Sequence, residues 1–224
     1  MKKVQQINET MVNKALQPDT RLIPIVDSSN EREVKACWNV FLEPARVVCP
    51  EFQLRNDLKQ PIVDIFYWCI MANEKNLNPH KGLWLWGNIG TGKTTMLEIV
   101  RRFCQLVRPY EKGFPYSFRT TNALEVCGEY SKNGHNGIAT YIESERQAFD
   151  ELGSESIPTG YYGTPMNVFQ YILQRRYDNR YKSFTHVTTN LSKEQVKSHY
   201  GERIYDRCKE MFNFVEMGGR TWRK

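Results

Sequence analysis

Eight consecutive residues, Gly87-Asn88-Ile89-Gly90-Thr91-Gly92-Lys93-Thr94, satisfy the pattern G-x-x-x-x-G-K-[ST] in full. The glycines let the backbone curl so that successive N–H groups point inward at phosphate oxygens. A helix opening at the end of such a loop adds its positive N-terminus to the same anion. Lys93 then reaches the β- and γ-phosphates and the Thr94 hydroxyl ligates Mg²⁺. Residues 87–95, with Thr95 as the last, are therefore the predicted nucleotide-binding segment.

A second pair of groups bears on what happens to the nucleotide. Ala148-Phe149-Asp150-Glu151-Leu152-Gly153 reads as a Walker B element. Asp150, at a strand end, would hold the metal through water, and Glu151 would take a proton from the attacking water. Farther along, Phe184 to Asn190 reads as a strand ending in a polar residue. Asn190 sits either beside the γ-phosphate, orienting water as a sensor-1 residue, or at the start of the next helix, where it or Ser192 would cap. Arg203 and Arg207 are four apart and share a helical face. They either reach a phosphate bound by a neighbouring subunit, or form a surface pair with Glu202, Asp206 and Glu210.

These residues need a scaffold that brings strand ends together. Leu83-Trp84-Leu85-Trp86 is a short apolar run suited to a strand buried on both faces. A helix is predicted over 93–107, a strand over 116–120, a helix over 123–131, a strand ending at 147–149 and a long helix over 166–181. A strand over 184–189, two short helices split near Gly201 and a last strand over 212–216 complete the series. Alternating strands and helices imply a parallel sheet with helices on both faces. The chain between Lys93 and Asp150 has room for a helix, a strand and a second helix, which places an extra strand between the two motif strands, as in the RecA-like and AAA+ branch of P-loop proteins. Upstream, Asn30 is expected to cap a helix over 31–42 closed by Pro44, and Pro61 to open another. Gly153–Pro165 reads as an irregular loop.

At 224 residues, with 40% apolar and 25% charged residues, the chain is long enough for one principal domain and too ordinary in composition for wholesale disorder. Residues 1–55 read as a small helical extension that binds a partner, and residues 56–224 as the nucleotide-binding domain. The net charge of +6 lies in the last quarter. Residues 171–224 hold 12 Lys/Arg against 6 Asp/Glu, while residues 1–170 hold 19 of each. A basic segment attracts phosphate, of nucleotide or of nucleic acid. The six cysteines lack C-x-x-C or zinc-finger spacing and read as reduced, buried thiols. The longest apolar stretch, Ile62 to Ala72, is too short for a bilayer and contains Asp64, so no membrane partner and a cytoplasmic location are expected.

Taken in order, GNIGTGKT, FDELG, TTN, GERIYDR and the ending GRTWRK resemble the DnaC/DnaI family of bacterial and phage replicative-helicase loaders. The resemblance covers roughly residues 55–224 and is strongest from Phe184 onward. It implies an AAA+ ATPase using ATP and Mg²⁺, self-associating in a ring or spiral, and placing a hexameric replicative helicase on single-stranded DNA. It assigns the Walker A roles to Lys93 and Thr94, Walker B to Asp150 and Glu151, and sensor 1 to Asn190. It also implies an arginine finger at Arg207 and a sensor-2-like arginine at Arg223, with Arg220 nearby. Like that family, the chain has little beyond Asn190 from which to build a helical lid. Two alternatives stand beside this reading. One is an IstB-like ATPase assisting a transposase. The other is a nucleotide-gated DNA-binding module with weak turnover, suggested because only Ala148 and Phe149 are apolar in the approach to Asp150, where a buried strand carries about four apolar residues.

Overall fold

The sequence pattern alternates strand and helix, and the computed structural model, which describes residues 27–72, 76–107 and 117–221, shows how the alternation folds. Two helices come first, α1 (Glu31–Val48) and α2 (Lys59–Cys69). Then follow β1 (Gly82–Trp86), α3 (Lys93–Val107), β2 (Arg119–Asn122), α4 (Ala123–Asn133), α5 (His135–Glu143) and β3 (Arg146–Leu152). A hairpin of β4 (Thr159–Tyr161) and β5 (Thr164–Met166) leads to α6 (Val168–Asp178), β6 (Phe184–Thr189), α7 (Lys193–Tyr200), α8 (Glu202–Met211) and β7 (Phe212–Glu216).

Five strands form one sheet in the order β2-β3-β6-β1-β7, every pairing parallel. Side chains alternate across it. Leu83, Leu85, Ala148 and Val215 join a core with α1, α2 and α3, whereas Trp84, Phe149 and Val187 join a second core with α4, α6, α7 and α8. The sheet is thus sandwiched between helical layers, the α/β class expected, and the strand between the two motif strands β1 and β3 is β6.

β6 reads Phe-Thr-His-Val-Thr-Thr, polar for a central strand, yet Thr185 to Thr189 are all buried. Each polar side chain has a partner. Thr185 Oγ1 accepts from Arg176 Nε at 2.7 Å, and the backbone N–H of Leu83 donates to His186 Nδ1 at 3.2 Å. Thr188 and Thr189 bond to the end of β3. Arg176, fully buried, also donates to the carbonyls of Tyr141 (2.7 Å) and Ser144 (2.9 Å), placing a cation at the C-terminus of α5, where the helix dipole is negative. No carboxylate bonds it among the described residues, and burial pulls its pKa down to about 10, so it stays charged at neutral pH.

Several boundaries differ from expectation. α1 runs through Pro44 to Val48, because Phe41 and Ala45 on either side are buried in the core and packing outweighs the lost bond. The acceptor Pro44 leaves unpaired belongs to Val40, which faces solvent. β2 begins at Arg119, since its pairing with β3 runs over Arg119–Asn122; Tyr116 lies outside the described residues. α6 is shorter at both ends, starting after the Asn167 cap that accepts from Gln170 N. The segment 153–165 is ordered rather than irregular. Tyr162 (φ 46°) and Gly163 (φ 80°) form the two-residue turn that suits a twisted hairpin, and Tyr161 packs over Tyr130. β3 extends over seven residues because Gln147, buried, bonds through Nε2 to Thr121 Oγ1 (3.1 Å) and the Ala148 carbonyl (3.0 Å), which removes the cost of its polarity.

All six cysteines are free, and burial raises the Cys208 thiol to about 12, so it stays protonated. No helix of the described residues is long and apolar enough to cross a membrane.

His186 gives the fold a defined acid limit. Burial, with Arg176 adding repulsion, lowers its pKa from 6.5 to about 3. The unfolded chain therefore binds the extra proton between those values, so stability is complete above pH 6.5 and falls as pH drops toward 3. Urea midpoints measured across this range should decline with acidity. His186→Asn, which still offers Leu83 an acceptor but does not titrate, should flatten that decline while lowering stability at pH 7 by roughly 1–3 kcal/mol through lost packing. An unchanged slope in the variant would assign the acid sensitivity elsewhere.

Candidate active site

The C-terminal ends of parallel strands are where such a sheet opens a crevice, and the predicted residues converge there. Gly87 leaves β1 with φ 140°, and a Cβ on it would lie 2.4 Å from the Met217 carbonyl, so only glycine lets the chain turn this close to the strand after it. The loop is closed internally by Thr91 Oγ1, buried, donating to the Asn88 carbonyl at 3.0 Å. Lys93, the first residue of α3, points its Nζ back into the loop, onto the carbonyls of Gly87 (2.8 Å) and Asn88 (2.6 Å). The ammonium is thus folded over the loop at the place where a phosphate would replace carbonyl oxygens as its partner.

Thr94 Oγ1 donates to Asp150 Oδ1 at 2.9 Å, which joins the phosphate loop to the end of β3 across the strand between them. Thr188, in that intervening strand, donates to the same Asp150 oxygen at 2.5 Å and accepts from the backbone N–H of Glu151 at 2.9 Å. Those two bonds turn the chain. Glu151 takes φ 58°, and the register of β3 with β6 shifts between Phe149 and Leu152. Such a bulge aims adjacent side chains in new directions. Asp150 is buried against its partners while Glu151 is exposed at the cleft.

The Glu151 carboxylate is held by Asn122, whose Nδ2 donates to Oε2 at 3.0 Å. Asn122 also caps α4, its Oδ1 accepting from Leu124 N at 2.9 Å. The sequence reading missed this residue and Thr188, although a signal was present. Thr120-Thr121-Asn122 and Thr188-Thr189-Asn190 repeat the same tripeptide, one at the end of β2 and one at the end of β6, on either side of β3. Asn190 is exposed at the cleft edge, and the cap of α7 is Ser192, with Gln195 completing a capping box, so the competing role for Asn190 is taken.

Residues 90–95, Glu151, Thr188, Thr189 and Asn190 line one cleft of about 230 Å³. Cys49, Phe52, Leu58, Ile62 and Met217 line it as well. These largely apolar groups come from the segment between α1 and α2, from the first turn of α2 and from the residue after β7. Sequence reasoning did not find them, because no motif marks a wall assembled from both ends of the chain. A polar half lined by the glycine-rich loop beside an apolar half is the arrangement that a nucleoside triphosphate would require.

Arg207 lies apart from this cleft, on α8. Its guanidinium rests 4.7 Å from the Tyr177 ring centroid, and its buried Nη1 has no hydrogen-bond partner among the described residues. The acids expected to pair with Arg203 and Arg207 are engaged otherwise. Glu202 binds Lys197, Asp206 binds Lys209, and Glu210 accepts from the Tyr177 hydroxyl at 3.0 Å and lies 3.8 Å from Arg180. The Arg220 backbone binds near Asp57, whereas Arg223 lies outside the described residues.

Asn122→Ser should release Glu151 while keeping a good helix cap. Basal nucleotide hydrolysis is expected to rise several-fold with nucleotide affinity unchanged and stability within about 1 kcal/mol of wild type. Unchanged basal turnover would show that the amide does not restrain the carboxylate.

No family model matches the chain, and no curated protein sequence matches it. Solved structures do. The crystal structure of the DnaC helicase loader superposes with a TM-score of 0.56 at 19% identity, over 81% of this chain and 98% of that one. A protein described as a primosome component, from Streptococcus pyogenes serotype M3, superposes with a TM-score of 0.54 at 17% identity, over 78% and 87% of the two chains. At these identities the likeness is one of fold, and this chain has the fold of the DnaC helicase loader.

Proposed function

We propose that the protein is a Mg²⁺-dependent ATPase of DNA replication that loads a hexameric replicative helicase onto single-stranded DNA. The observation that carries the nucleotide chemistry is the junction of Thr94, Asp150 and Thr188, with Glu151 turned out beside it. The base of ATP packs against Phe52, Leu58 and Met217, and the phosphates lie on the N–H groups of the loop. Two oxygen donors, one a single carboxylate, suit a cation that keeps waters and takes its remaining ligands from substrate phosphate. Thr94 and Asp150 would hold the Mg²⁺, which would supply charge neutralisation to the phosphates when bound. Glu151 takes a proton from the water that attacks the γ-phosphorus, and Asn190 orients that water. Lys93 leaves the loop carbonyls for the phosphate oxygens and stabilises the charge that develops there.

Arg207 completes the site in an assembly. Its Nη1 is buried and makes no hydrogen bond among the described residues, so the guanidinium would have to swing off the Tyr177 ring to meet an anion of a second copy; the unmet donor favours that move, which supports a finger acting in trans within a ring or spiral. The fold shared with the DnaC helicase loader and the run GERIYDR support a helicase rather than a transposase as partner. The seven-residue β3 with its satisfied Gln147 supports turnover over a purely gating role. The basic excess of residues 171–224 supports single-stranded DNA as the polymer bound.

Lys93→Ala should lose ATP binding, while Glu151→Gln should bind ATP with wild-type affinity and lower turnover by at least 10²-fold, as expected for removal of a general base. Filter binding and phosphate release separate the two; retained turnover in Glu151→Gln would place the base elsewhere. Mixing Arg207→Ala with Glu151→Gln should restore hydrolysis, because each supplies what the other lacks across an interface. Absence of any recovery in mixtures that assemble would exclude a finger in trans.

A further inference from the structure

The apolar half of the cleft is built from two segments far apart in sequence, and a specific set of bonds joins them. Arg55, in the connection between α1 and α2, pairs through its guanidinium with Asp57, with Nε at 3.1 Å from Oδ1 and Nη2 close to Oδ2. The same guanidinium sends Nη1 to the backbone carbonyl of Arg220 at 2.9 Å. The backbone N–H of Arg220 returns a bond to Asp57 Oδ2 at 3.3 Å. Asp57 thereby accepts from both sides of the junction, and the Arg55 side chain holds its carboxyl below the usual carboxylate range. Gly219 crosses at the point of contact with φ 94°, and a Cβ there would lie 2.1 Å from Asp57 Oδ2.

Immediately beside this junction lie the residues that face the cleft. Phe52 and Leu58 flank Arg55 and Asp57, and Met217, whose N–H donates to the Trp86 carbonyl at 2.7 Å, precedes Gly219. The phosphate loop is on a different segment and takes no part in these bonds. We infer that Arg55 and Asp57 form a clasp that locks the 52–58 segment to residues 217–220, and that this clasp, rather than the phosphate loop, sets how well the protein holds the base of the nucleotide. The inference rests on the proposed reading of the cleft as an ATP site. Its physical content is a preorganised wall. With the clasp closed, the apolar groups are already in place and the base meets them without an ordering cost. With it open, binding must close it first, and the apparent affinity drops by the fraction of molecules closed. Linkage makes the effect reciprocal, so a bound nucleotide also steadies the chain after β7.

The test compares a nucleotide with a ligand that keeps a triphosphate chain and lacks the nucleoside. Isothermal titration with ATPγS and with inorganic tripolyphosphate, both with Mg²⁺, should be run on the full chain and on Arg55→Ala, Asp57→Asn and Gly219→Ala. The last variant pushes the Asp57 carboxylate aside while leaving both charged groups present. All three should weaken ATPγS about three- to ten-fold and leave tripolyphosphate unchanged. Unaltered ATPγS affinity would overturn the clasp, and so would a parallel loss for both ligands, which would mean a general loosening of the domain. Lys93→Ala should lose both ligands; if it keeps both, the reading of the cleft itself fails, separately from the clasp.

Discussion

A carboxylate at the buried end of a strand must be given hydrogen-bond donors, and Asp150 receives them from two other elements at once. Thr94 comes from the helix after β1 and Thr188 from β6. Both can reach only if β6 lies between β1 and β3, so the strand order and the geometry around Asp150 are one constraint. The loop that follows β1 must turn sharply enough for α3 to start beneath it, which is why Gly87 sits against Met217 with no room for a side chain. Once Asp150 is fixed, the bulge at Glu151 follows, and its carboxylate is presented to the cleft without being buried.

β6 is the element on which this depends, and it is anchored at both ends by polar groups rather than by apolar bulk. At its start, Arg176 binds the Phe184 carbonyl and Thr185 while also closing the C-terminus of α5. In its middle, His186 accepts from Leu83 and is surrounded by Trp68, Phe118 and Phe184. At its end, Thr188 and Thr189 hold the last residues of β3. Buried polar groups with full complements of partners specify one arrangement more sharply than apolar contacts, because any slip in register leaves donors or acceptors unpaired. The strand ends at the cleft gain a rigid platform from this.

Much of the site could be read in the sequence because phosphate binding needs glycines, a lysine and a hydroxyl at fixed spacing, and those leave a signature. The structure brings Lys93, Thr94, Asp150, Glu151 and Asn190 around one cleft, as that signature implies. What escaped notice has a common cause. Thr188, Asn122 and Gln147 act through partners on neighbouring strands, and pairing between strands is not written in local spacing. The same holds for the apolar wall of Phe52, Leu58 and Met217, drawn from both ends of the domain. Pro44 misled because helix propensity is local, whereas burial of Phe41 and Ala45 is tertiary. The hairpin at 159–166 was hidden because its turn uses Tyr162-Gly163 rather than the commoner Asn-Gly.

Asp150, held by two threonines, is placed to organise the metal of the proposed ATP site. Mn²⁺ can stand in for Mg²⁺ and be followed by electron paramagnetic resonance in the presence of a non-hydrolysable ATP analogue. With Asp150 in that role, the protein–nucleotide complex binds Mn²⁺ and Asp150→Asn weakens this by about tenfold or more, the scale of loss when a group supporting a metal site is removed. Equal Mn²⁺ affinity in the two proteins would contradict it.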